Sequence, residues 1–187
     1  MRVIAGTYRG TRLSAPSGMA TRPTSDRVKE SLFSIISCRM SLNGIHILDI
    51  CAGTGSLGIE ALSRGGAAAT FIERDRTMQP FLNKNIAAVH CRDRAEIIIS
   101  SAEPAVRSLA ARGRQFELIL FDPPYDSELY EPVAELLSTH ALLKAGGLLV
   151  MECSSRKQLP PVIGSYFQYD RRVYGVTALE LFSWEGV

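Results

Sequence analysis

Apolar residues fall along the chain into short continuous runs that alternate with stretches of helical spacing, beginning near residue 45. The short runs predict five strands, at 46–50, 68–73, 96–100, 116–121 and 147–153. The stretches between them predict helices at 56–64, from about 77 to about 89, at 102–112 and at 129–140. Because strands that alternate with helices are typical of a parallel sheet covered on both faces, the pattern predicts a doubly wound α/β fold.

The fourth and fifth predicted strands, 116–121 and 147–153, are almost entirely apolar. Such strands are expected where helices cover both faces of a parallel sheet. In an open sheet of this kind the fourth strand lies beside the first, where the strand order reverses and ligands bind.

The C-terminal end departs from the alternation. Residues 167–175 and 176–184 read as two strands with no helix between them, and Gly175 supplies a turn. Two strands without a crossover must pair antiparallel, so the chain is predicted to end in a hairpin.

The N-terminal end is predicted to begin with a second, shorter hairpin formed by residues 2–6 and 11–15. A helix with Val28, Leu32 and Ile36 on its apolar face follows a loop, and either Thr24 or Ser25 is expected to cap it.

The composition indicates one globular domain, with 187 residues of which 46% are hydrophobic and 21% charged. No apolar run approaches the roughly 18 residues of a membrane helix, and the N-terminus lacks an apolar signal core. We therefore expect a cytoplasmic protein, and a monomer.

The cysteines and histidines show no metal-ligand spacing. Cys38, Cys51, Cys91 and Cys153 form no CxxC pair, and the three histidines form no cluster. We therefore predict free, buried thiols and neither a metal site nor a redox motif.

The charge is unevenly distributed, although the net charge is only +2. Residues 1–39 carry seven Lys or Arg and two acids. This basic arm fits either an anionic partner or an ordinary solvated surface.

A glycine-rich turn links the first strand to its helix. Gly53-x-Gly55-x-x-Gly58 has the spacing of a dinucleotide fingerprint, and Glu73 ends the next strand at the position that binds ribose hydroxyls. These features suit a nicotinamide dinucleotide and S-adenosylmethionine equally. Asp49 just before the glycines favours the latter, because a carboxylate attracts a ligand ammonium and repels a pyrophosphate; its alternative role is to cap the loop backbone.

The tetrapeptide Asp122-Pro123-Pro124-Tyr125 follows the fourth strand directly. Two prolines stiffen the backbone, and the Pro123 carbonyl and the Asp122 carboxylate can accept both N–H bonds of one amine. Tyr125 can stack on a base, which is worth about 1–3 kcal/mol. Together they predict a clamp for an aromatic amine. Methyl transfer would use such a clamp, because alignment of the amine with the methyl donor supplies most of the acceleration.

The chain resembles the RsmD family of 16S rRNA guanine-N2 methyltransferases, within the class I S-adenosylmethionine-dependent fold. The resemblance covers nearly the whole chain. Its most discriminating part is the N-terminal block, RVIAGTYRGTRLSAPSG with Arg22-Pro23-Thr24 and DRVKESLFSII. DICAGTGSLGIEALSRGG, FIERD, Asn85, FDPPY and YGVTALELF follow in the same order as in the family.

The resemblance implies a seven-stranded, mostly parallel, Rossmann-like sheet with an antiparallel C-terminal hairpin. Residues 1–23 would be a substrate-facing extension and residues 24–187 the catalytic core. The substrate would be 16S rRNA, free or in the assembling 30S subunit.

Site residues follow from the same resemblance, together with the basic arm. The cofactor S-adenosylmethionine, with S-adenosylhomocysteine as product, would be held by Asp49, Cys51, Gly53, Gly55, Glu73, Ser101, Ala102 and Asp122. Asp122, Pro123 and Tyr125 would act on the amine and its base. Arg22 and Thr24 would line the entrance, and RNA phosphates would contact Arg9, Arg12, Arg22, Arg27 and Lys29.

The stretch after the third strand departs from the family pattern. The family usually has an aspartate there that contacts the adenine amino group, whereas this chain has Ser100-Ser101-Ala102-Glu103. Either Ser101 or Glu103 is expected to replace that contact.

Three other functions fit parts of the sequence. A DNA adenine-N6 methyltransferase would use the same tetrapeptide, but the chain offers no separate target-recognition domain. A nicotinamide oxidoreductase would use the glycine loop, although Asp49 and the terminal hairpin disfavour it. A non-catalytic RNA-binding module would use the basic arm alone.

Overall fold

The structure is a computed structural model that describes residues 1–16 and 26–186. Its helices are α1 (Asp26–Arg39), α2 (Ser56–Ser63), α3 (Gln79–Ala88), α4 (Ala102–Ala111) and α5 (Tyr130–Thr139), with a short 3₁₀ turn at Arg92–Arg94. Its strands are β1 (His46–Ile50), β2 (Ala68–Glu73), β3 (Ala95–Ile99), β4 (Phe116–Phe121), β5 (Leu143–Ser154), β6 (Val162–Ile163), β7 (Tyr166–Tyr174) and β8 (Thr177–Ser183).

The strands form one sheet in the order β3-β2-β1-β4-β5-β8-β7-β6. Strands β1 to β5 are parallel, and β8 enters antiparallel between β5 and β7. The order reverses between β1 and β4, which are neighbours, so the carboxyl ends of these two strands border the crevice where open α/β sheets bind ligands. The predicted doubly wound fold and C-terminal hairpin are confirmed.

Two hydrophobic clusters cover the two faces of the sheet. One joins α1, α2, α3 and the N-terminal arm to a face that includes Leu120, Val150 and Leu179. The other joins α4 and α5 to the opposite face, which includes Ile119 and Leu149. The apolar character of β4 and of the second half of β5 follows from this burial on both sides.

The sheet has eight strands among the described residues, one more than the seven that the resemblance implies. The additional strand β6 has only two residues and pairs antiparallel with β7 at the sheet edge. So short a strand shows no hydrophobic period. The strand β5 also begins at Leu143, earlier than predicted. The sequence pattern missed its first part because Ala145 and Gly146 there are exposed.

The N-terminal arm forms the predicted hairpin, although its ladder is a single antiparallel bridge between Arg2 and Arg12. The Val3 N–H donates to the Thr11 carbonyl at 3.0 Å, and the Gly10 N–H donates to the Val3 carbonyl at 2.9 Å. Val3 and Leu13 are buried in the first cluster. The predicted helix cap at Thr24 or Ser25 lies outside the described residues.

The prediction that all four thiols are buried is wrong for two of them. Cys91 and Cys153 are buried, Cys51 is half-buried, and Cys38 is exposed on α1. Because α1 presents only one face to the sheet, a cysteine on its other face meets solvent. No helix in the described part of the chain is long and apolar enough to cross a membrane.

Candidate active site

The candidate site lies at the carboxyl edge of the parallel strands. The glycine loop leaves β1, Glu73 ends β2, Ser100 and Ser101 follow β3, and Asp122 follows β4. A cleft of about 570 Å³ opens between these loops, within the size range of small-molecule sites. Its lining includes Cys51, Ile72, Arg74, Ser100, Ser101, Ala102, Glu103, Pro124 and Leu129.

Each glycine of the fingerprint is required for a different physical reason. Gly53 and Gly55 have φ of +53° and +78°, and a Cβ on Gly55 would come within 2.5 Å of Leu82. A Cβ on Gly58 would come within 2.4 Å of the Phe71 ring, so this third glycine lets α2 pack closely on β2. Cys51 adopts a φ of +63° without being glycine, and such backbone strain is characteristic of functional loops.

Asp49 supports the loop from beneath. Its side chain is buried, and its Oδ2 accepts the Gly58 N–H at 2.8 Å. Burial raises the pKa of Asp49 to about 7; the bond from Gly58 opposes that rise, and the nearby Glu73 charge adds to it. Asp49 therefore caps the first turn of α2, directly after the glycine loop, and this bond occupies only part of the acceptor capacity of a carboxylate.

Glu73 ties β2 to the same loop. One of its oxygens accepts the Gly53 N–H at 2.7 Å, and the other accepts the Asp75 N–H at 2.7 Å. Both bonds fix the orientation of the carboxylate, and the remaining lone pairs can accept the ribose hydroxyls of a nucleoside.

The stretch that departs from the family pattern borders the cleft. Ser101 and Ala102 both line it, and so does Glu103, the alternative to Ser101. Ser101 is exposed, and its hydroxyl makes no cap bond to α4 that would compete with a ligand.

The tetrapeptide is held on several sides. The Asp122 N–H continues the β1–β4 ladder by donating to the Ile50 carbonyl at 3.3 Å. The Tyr130 hydroxyl beneath it donates to the Glu152 carbonyl at 3.1 Å and reaches the Pro123 carbonyl at 3.5 Å. The predicted acceptor at Pro123 thus has one long bond and keeps a second lone pair.

Asp122 is the second perturbed carboxylate. Burial, followed by the charges of Glu152 and Asp49, raises its pKa well above the ordinary value for an aspartate. Such a shift is common for groups that hold or move a proton at functional sites. Asp122 also brings the amine clamp next to the cofactor loop, since its backbone pairs with the end of β1.

The Tyr125 hydroxyl contacts two residues that the sequence reasoning missed. It lies 2.6 Å from the Thr177 hydroxyl and donates to Glu152 Oε1 at 3.3 Å. Glu152 interrupts the apolar run of β5, and an acid in a buried strand was the signal that could have revealed it. No group of three or more His, Cys, Asp or Glu side chains in residues 1–16 and 26–186 is arranged to hold a metal ion.

The described arginines of the basic segment lie at three places. Arg9 lines a second cleft of about 410 Å³, between the hairpin and α1, together with Arg2 and Arg64. Arg12 lies two residues before Ser14, whose N–H donates to Asn85 at 2.7 Å. Arg27 is exposed on α1. Arg22 and Thr24 lie outside the described residues.

The predicted phosphate contact of Lys29 is wrong. Its side chain is buried, and its Nζ donates to the Arg2 carbonyl at 2.6 Å and to the Ser56 hydroxyl at 3.1 Å. It also lies 3.6 Å from a carboxylate oxygen of buried Glu60. Lys29 therefore holds the arm against α2 and does not meet a ligand in solvent.

Glu60 and Asn85 complete this attachment. Glu60 accepts the N–H groups of Ile4 and Ala5 at 2.7 and 3.0 Å. Asn85 donates to the carbonyls of Ser14 and Thr54, at 3.0 and 2.9 Å. The arm is thereby connected to the glycine loop through Asn85 and to the helix that follows the loop through Glu60.

Comparison with known proteins places the chain among methyltransferases. It is 34% identical over 186 residues to "Putative rRNA methyltransferase YlbH" of Bacillus subtilis (strain 168), covering 100% of both chains. It is 34% identical over 185 residues to "Ribosomal RNA small subunit methyltransferase D" of Escherichia coli (strain K12), covering 99% of this chain and 90% of the relative.

A solved structure and a family model agree with these relatives. The structure, "Putative methyltransferase yhhF" from Escherichia coli, has a TM-score of 0.85 and 34% identity, covering 100% of this chain and 99% of the other. The model described as conserved hypothetical protein 95 matches residues 1–183. The chain therefore belongs to this family, the RsmD family.

Proposed function

We propose that this protein methylates the exocyclic N2 amine of a guanine in 16S rRNA, with S-adenosylmethionine as the methyl donor. That the protein is a methyltransferase of ribosomal RNA follows from its family and from its named relatives. The choice of guanine and of N2 is the proposal. A cytoplasmic location and a monomeric state belong to the proposal as well.

The observation that carries the proposal is the position of Asp122 and Pro123. They leave β4 beside the end of β1, and Pro124, the next residue of their loop, lines the same cleft as Cys51 of the glycine loop. An amine held by the Asp122 carboxylate and the Pro123 carbonyl would therefore lie next to the methyl donor. Tyr125, whose hydroxyl is fixed by Thr177 and Glu152, would stack on the base.

The described residues fit S-adenosylmethionine. Gly53 and Gly55 provide a loop without side chains, Glu73 provides ribose acceptors, and Asp49 provides a partner for the amino-acid ammonium. Cys51, Ser101 and Ala102 line the cleft and would contact the adenine. Asp122 would lie between the cofactor and the base.

S-adenosylmethionine supplies a methyl group that is already strongly electrophilic, so the protein has little covalent chemistry to perform. Asp122 and Pro123 orient the amine lone pair, and their oxygens stabilise the positive charge that develops on nitrogen. On accepting the methyl group, the amine nitrogen would have to lose one proton. The raised pKa of the Asp122 carboxyl suits it to accept that proton and pass it to solvent.

The positive charge of the arm is a further reason to propose an RNA substrate. Arg9, Arg12 and Arg27 are exposed, and Arg22 and Thr24 belong to the same basic segment. Phosphate contacts of this kind carry most of the affinity for nucleic acids and weaken with salt. The guanine must leave its stack to reach the clamp between β4 and the glycine loop.

The direct test is to map the modified nucleotide. Small subunits from a strain that lacks the gene are incubated with the purified protein and labelled S-adenosylmethionine, and the rRNA is digested and analysed by mass spectrometry. We expect one N2-methylguanosine. Label in duplex DNA and none in rRNA would instead favour a DNA adenine-N6 methyltransferase.

A ligand titration tests whether the protein is a nicotinamide oxidoreductase or a non-catalytic RNA-binding module. We expect tight binding of S-adenosylhomocysteine and no binding of NAD. The reverse result would favour an oxidoreductase, and RNA binding without either ligand would favour a non-catalytic module.

A further inference from the structure

The loop that leaves β5, residues 155–158, is bonded to the loop that carries the amine clamp, residues 122–129. The Lys157 Nζ donates to the Ser127 carbonyl at 3.3 Å and lies 5.0 Å from the centre of the Tyr130 ring. The hydroxyl of this tyrosine in turn reaches a carbonyl of the tetrapeptide at 3.5 Å. The position of the 155–158 loop is therefore coupled to that of the clamp.

The hairpin of β7 and β8 holds the same loop. The Arg171 Nη2 of β7 donates to the carbonyls of Ser155 and Lys157, at 3.0 and 3.2 Å. Its Nε pairs at 2.7 Å with Glu180, whose side chain is fully buried. The Ser155 N–H also donates to the Val176 carbonyl at 2.8 Å. The backbone is thus fixed immediately before and after residue 156, so a ligand bound there requires little further ordering of the loop.

Arg156 lies in the middle of this fixed loop. A turn contains it, closed by the Lys157 N–H, which donates to the Ser154 carbonyl at 2.9 Å. Arg156 is exposed, and within residues 1–16 and 26–186 its guanidinium makes neither a hydrogen bond nor an ion pair. A guanidinium presents several N–H donors in a geometry that fits a phosphate, so the free group suits an anionic ligand.

The clamp loop itself carries charges that repel RNA. Asp126 and Glu128 are exposed on it, a few residues after Asp122. An RNA strand that brings a guanine to Asp122 must also bring its phosphates close to these carboxylates, and like charges that meet in an interface are costly. A cation fixed on the neighbouring loop offsets this repulsion.

The arginines of the N-terminal arm belong to the other face of the sheet. The arm packs in the cluster that contains α1, α2 and α3, whereas Leu159, directly after the 155–158 loop, belongs to the cluster of α4 and α5. Phosphate contacts fix the register and orientation of a bound nucleic acid, and contacts from two faces do so better than contacts from one.

We propose that Arg156 binds an RNA phosphate close to the target guanine and so orients the strand in the clamp. This role rests on the proposed function, and it assigns an RNA contact outside the basic N-terminal segment. Arg156 is a substrate-binding residue that contacts the RNA backbone and not the reacting amine.

The experiment combines loss of the arginine with loss of a single phosphate charge. Small subunits are reconstituted with rRNA in which an uncharged methylphosphonate linkage replaces one phosphate beside the mapped guanine, and the neighbouring linkages are tested in turn. The readout is kcat/KM for methylation by the wild-type protein, by Arg156→Ala and by Arg156→Lys.

With unmodified rRNA we expect Arg156→Ala to lower kcat/KM by about tenfold, mainly through KM, because a charge-assisted contact to phosphate is lost. Arg156→Lys keeps the charge and should lower kcat/KM by about threefold or less. At one linkage, methylphosphonate should cost the wild-type protein about tenfold but Arg156→Ala about twofold or less, since the partner of that phosphate is already missing. At the other linkages the two proteins should change by the same factor.

Arg107→Ala is the matched control, because Arg107 is an exposed arginine of α4, which covers the same face of the sheet as Leu159. It should behave as the wild-type protein does at every linkage. Full activity of Arg156→Ala overturns the phosphate contact. A loss of activity that is the same at every linkage also overturns it, and would assign Arg156 to a protein of the subunit instead. Failure of the wild-type protein to methylate unmodified subunits would reject the proposed function.

Discussion

Asp49 is proposed to bind the cofactor ammonium, and it is also a group that takes up a proton near neutral pH. It is buried, and its pKa is raised to about 7 from an ordinary value of 3.8. The ammonium group of a bound amino acid favours the ionised carboxylate, so below pH 7 the ligand must displace a proton. This linkage distinguishes a ligand contact from a purely structural cap.

The affinity for S-adenosylhomocysteine should therefore depend on pH through Asp49. We expect the Kd to increase as the pH falls below about 7, approaching tenfold per unit, and to level off above it. Asp49→Asn can still accept the Gly58 N–H but carries no charge, so its binding should be weak and nearly independent of pH. Isothermal titration at pH 6, 7 and 8 measures both; equal slopes for the two proteins would remove Asp49 from the ammonium site.

The same carboxylate affects the stability of the free protein with a definite sign. A folded-state pKa above the unfolded value means that folding takes up a proton, so this contribution is full below pH 3.8 and is lost as the pH rises through about 7. Urea unfolding at pH 5 and pH 8 should show Asp49→Asn gaining stability relative to the wild-type protein at the higher pH. A constant difference would show that Asp49 does not titrate in this range.

Replacement of Asp122 should slow methyl transfer without weakening ligand binding. Asp122→Ala removes one of the two oxygens on the amine, and we expect kcat to fall by about 100-fold or more. The Kd values for RNA and for S-adenosylhomocysteine should change little, since phosphates and the glycine loop carry most of that binding. Asp93→Ala, at an exposed position in the 3₁₀ turn, is the control; retained activity in Asp122→Ala would exclude it from the mechanism.

Single residues were predictable where a contiguous motif defined their surroundings. Asp49, Glu73 and Asp122 lie at or directly after the ends of strands, so the strand predictions also placed them at one edge of the sheet. Lys29 was misread because an exposed and a buried lysine look alike in a basic segment, and its partner Glu60 lies 31 residues away. Glu152 was missed because its neighbours on β4 and β8 are set by the strand order.

At the scale of elements, the decisive contact is between the arm hairpin and α2. The turn of the hairpin approaches α2 so closely that a Cβ on Gly6 would fall 1.8 Å from the Ser63 carbonyl oxygen. The Thr7 N–H donates to that carbonyl at 2.8 Å. Since α2 begins at the glycine loop, the arm, which we propose faces the substrate, and the candidate cofactor site are attached to the same helix.

Lys29→Met tests this support. The variant leaves Glu60 buried without its lysine and frees the Arg2 carbonyl, so we expect a loss of about 3 kcal/mol in the free energy of unfolding. Urea denaturation measures it, and limited proteolysis should cut first within the arm. The control is Arg27→Met on the exposed side of α1, where the loss should stay below about 0.5 kcal/mol. Equal stability of the two variants would contradict the attachment.

The elements themselves were largely predictable. β1, β2 and β4 begin and end where the sequence pattern places them, because continuous apolar runs between polar loops leave little freedom. The extent of β5 and the existence of β6 could not be predicted, since exposed edge residues carry no hydrophobic period. Their pairing depends on β7 and β8, which lie later in the chain.

At the scale of the whole molecule, the basic arm is attached to α2 through Glu60 and Ser63 and to the glycine loop through Asn85. Arg2 and Arg64 are already paired with Asp26 and Glu60, whereas Arg9 and Arg12 are exposed at different points along the hairpin. If RNA follows the hairpin towards the clamp, each of these two arginines meets a different phosphate. Their contributions should then be separable and nearly additive.

The salt dependence of RNA binding measures those contacts. For a single-stranded RNA, log K falls with log salt concentration by about 0.7 for each phosphate neutralised. Arg9→Ala and Arg12→Ala should each reduce the slope by about that amount, and the double variant by about twice as much. Arg107→Ala, at an exposed position on α4 and on the opposite face of the sheet from the arm, should leave the slope unchanged. If Arg107→Ala lowers the slope as much as the arm variants do, RNA binding is spread over the whole surface. If neither arm variant changes it, the basic segment 1–39 is only a solvated face and the RNA approaches the clamp from another side.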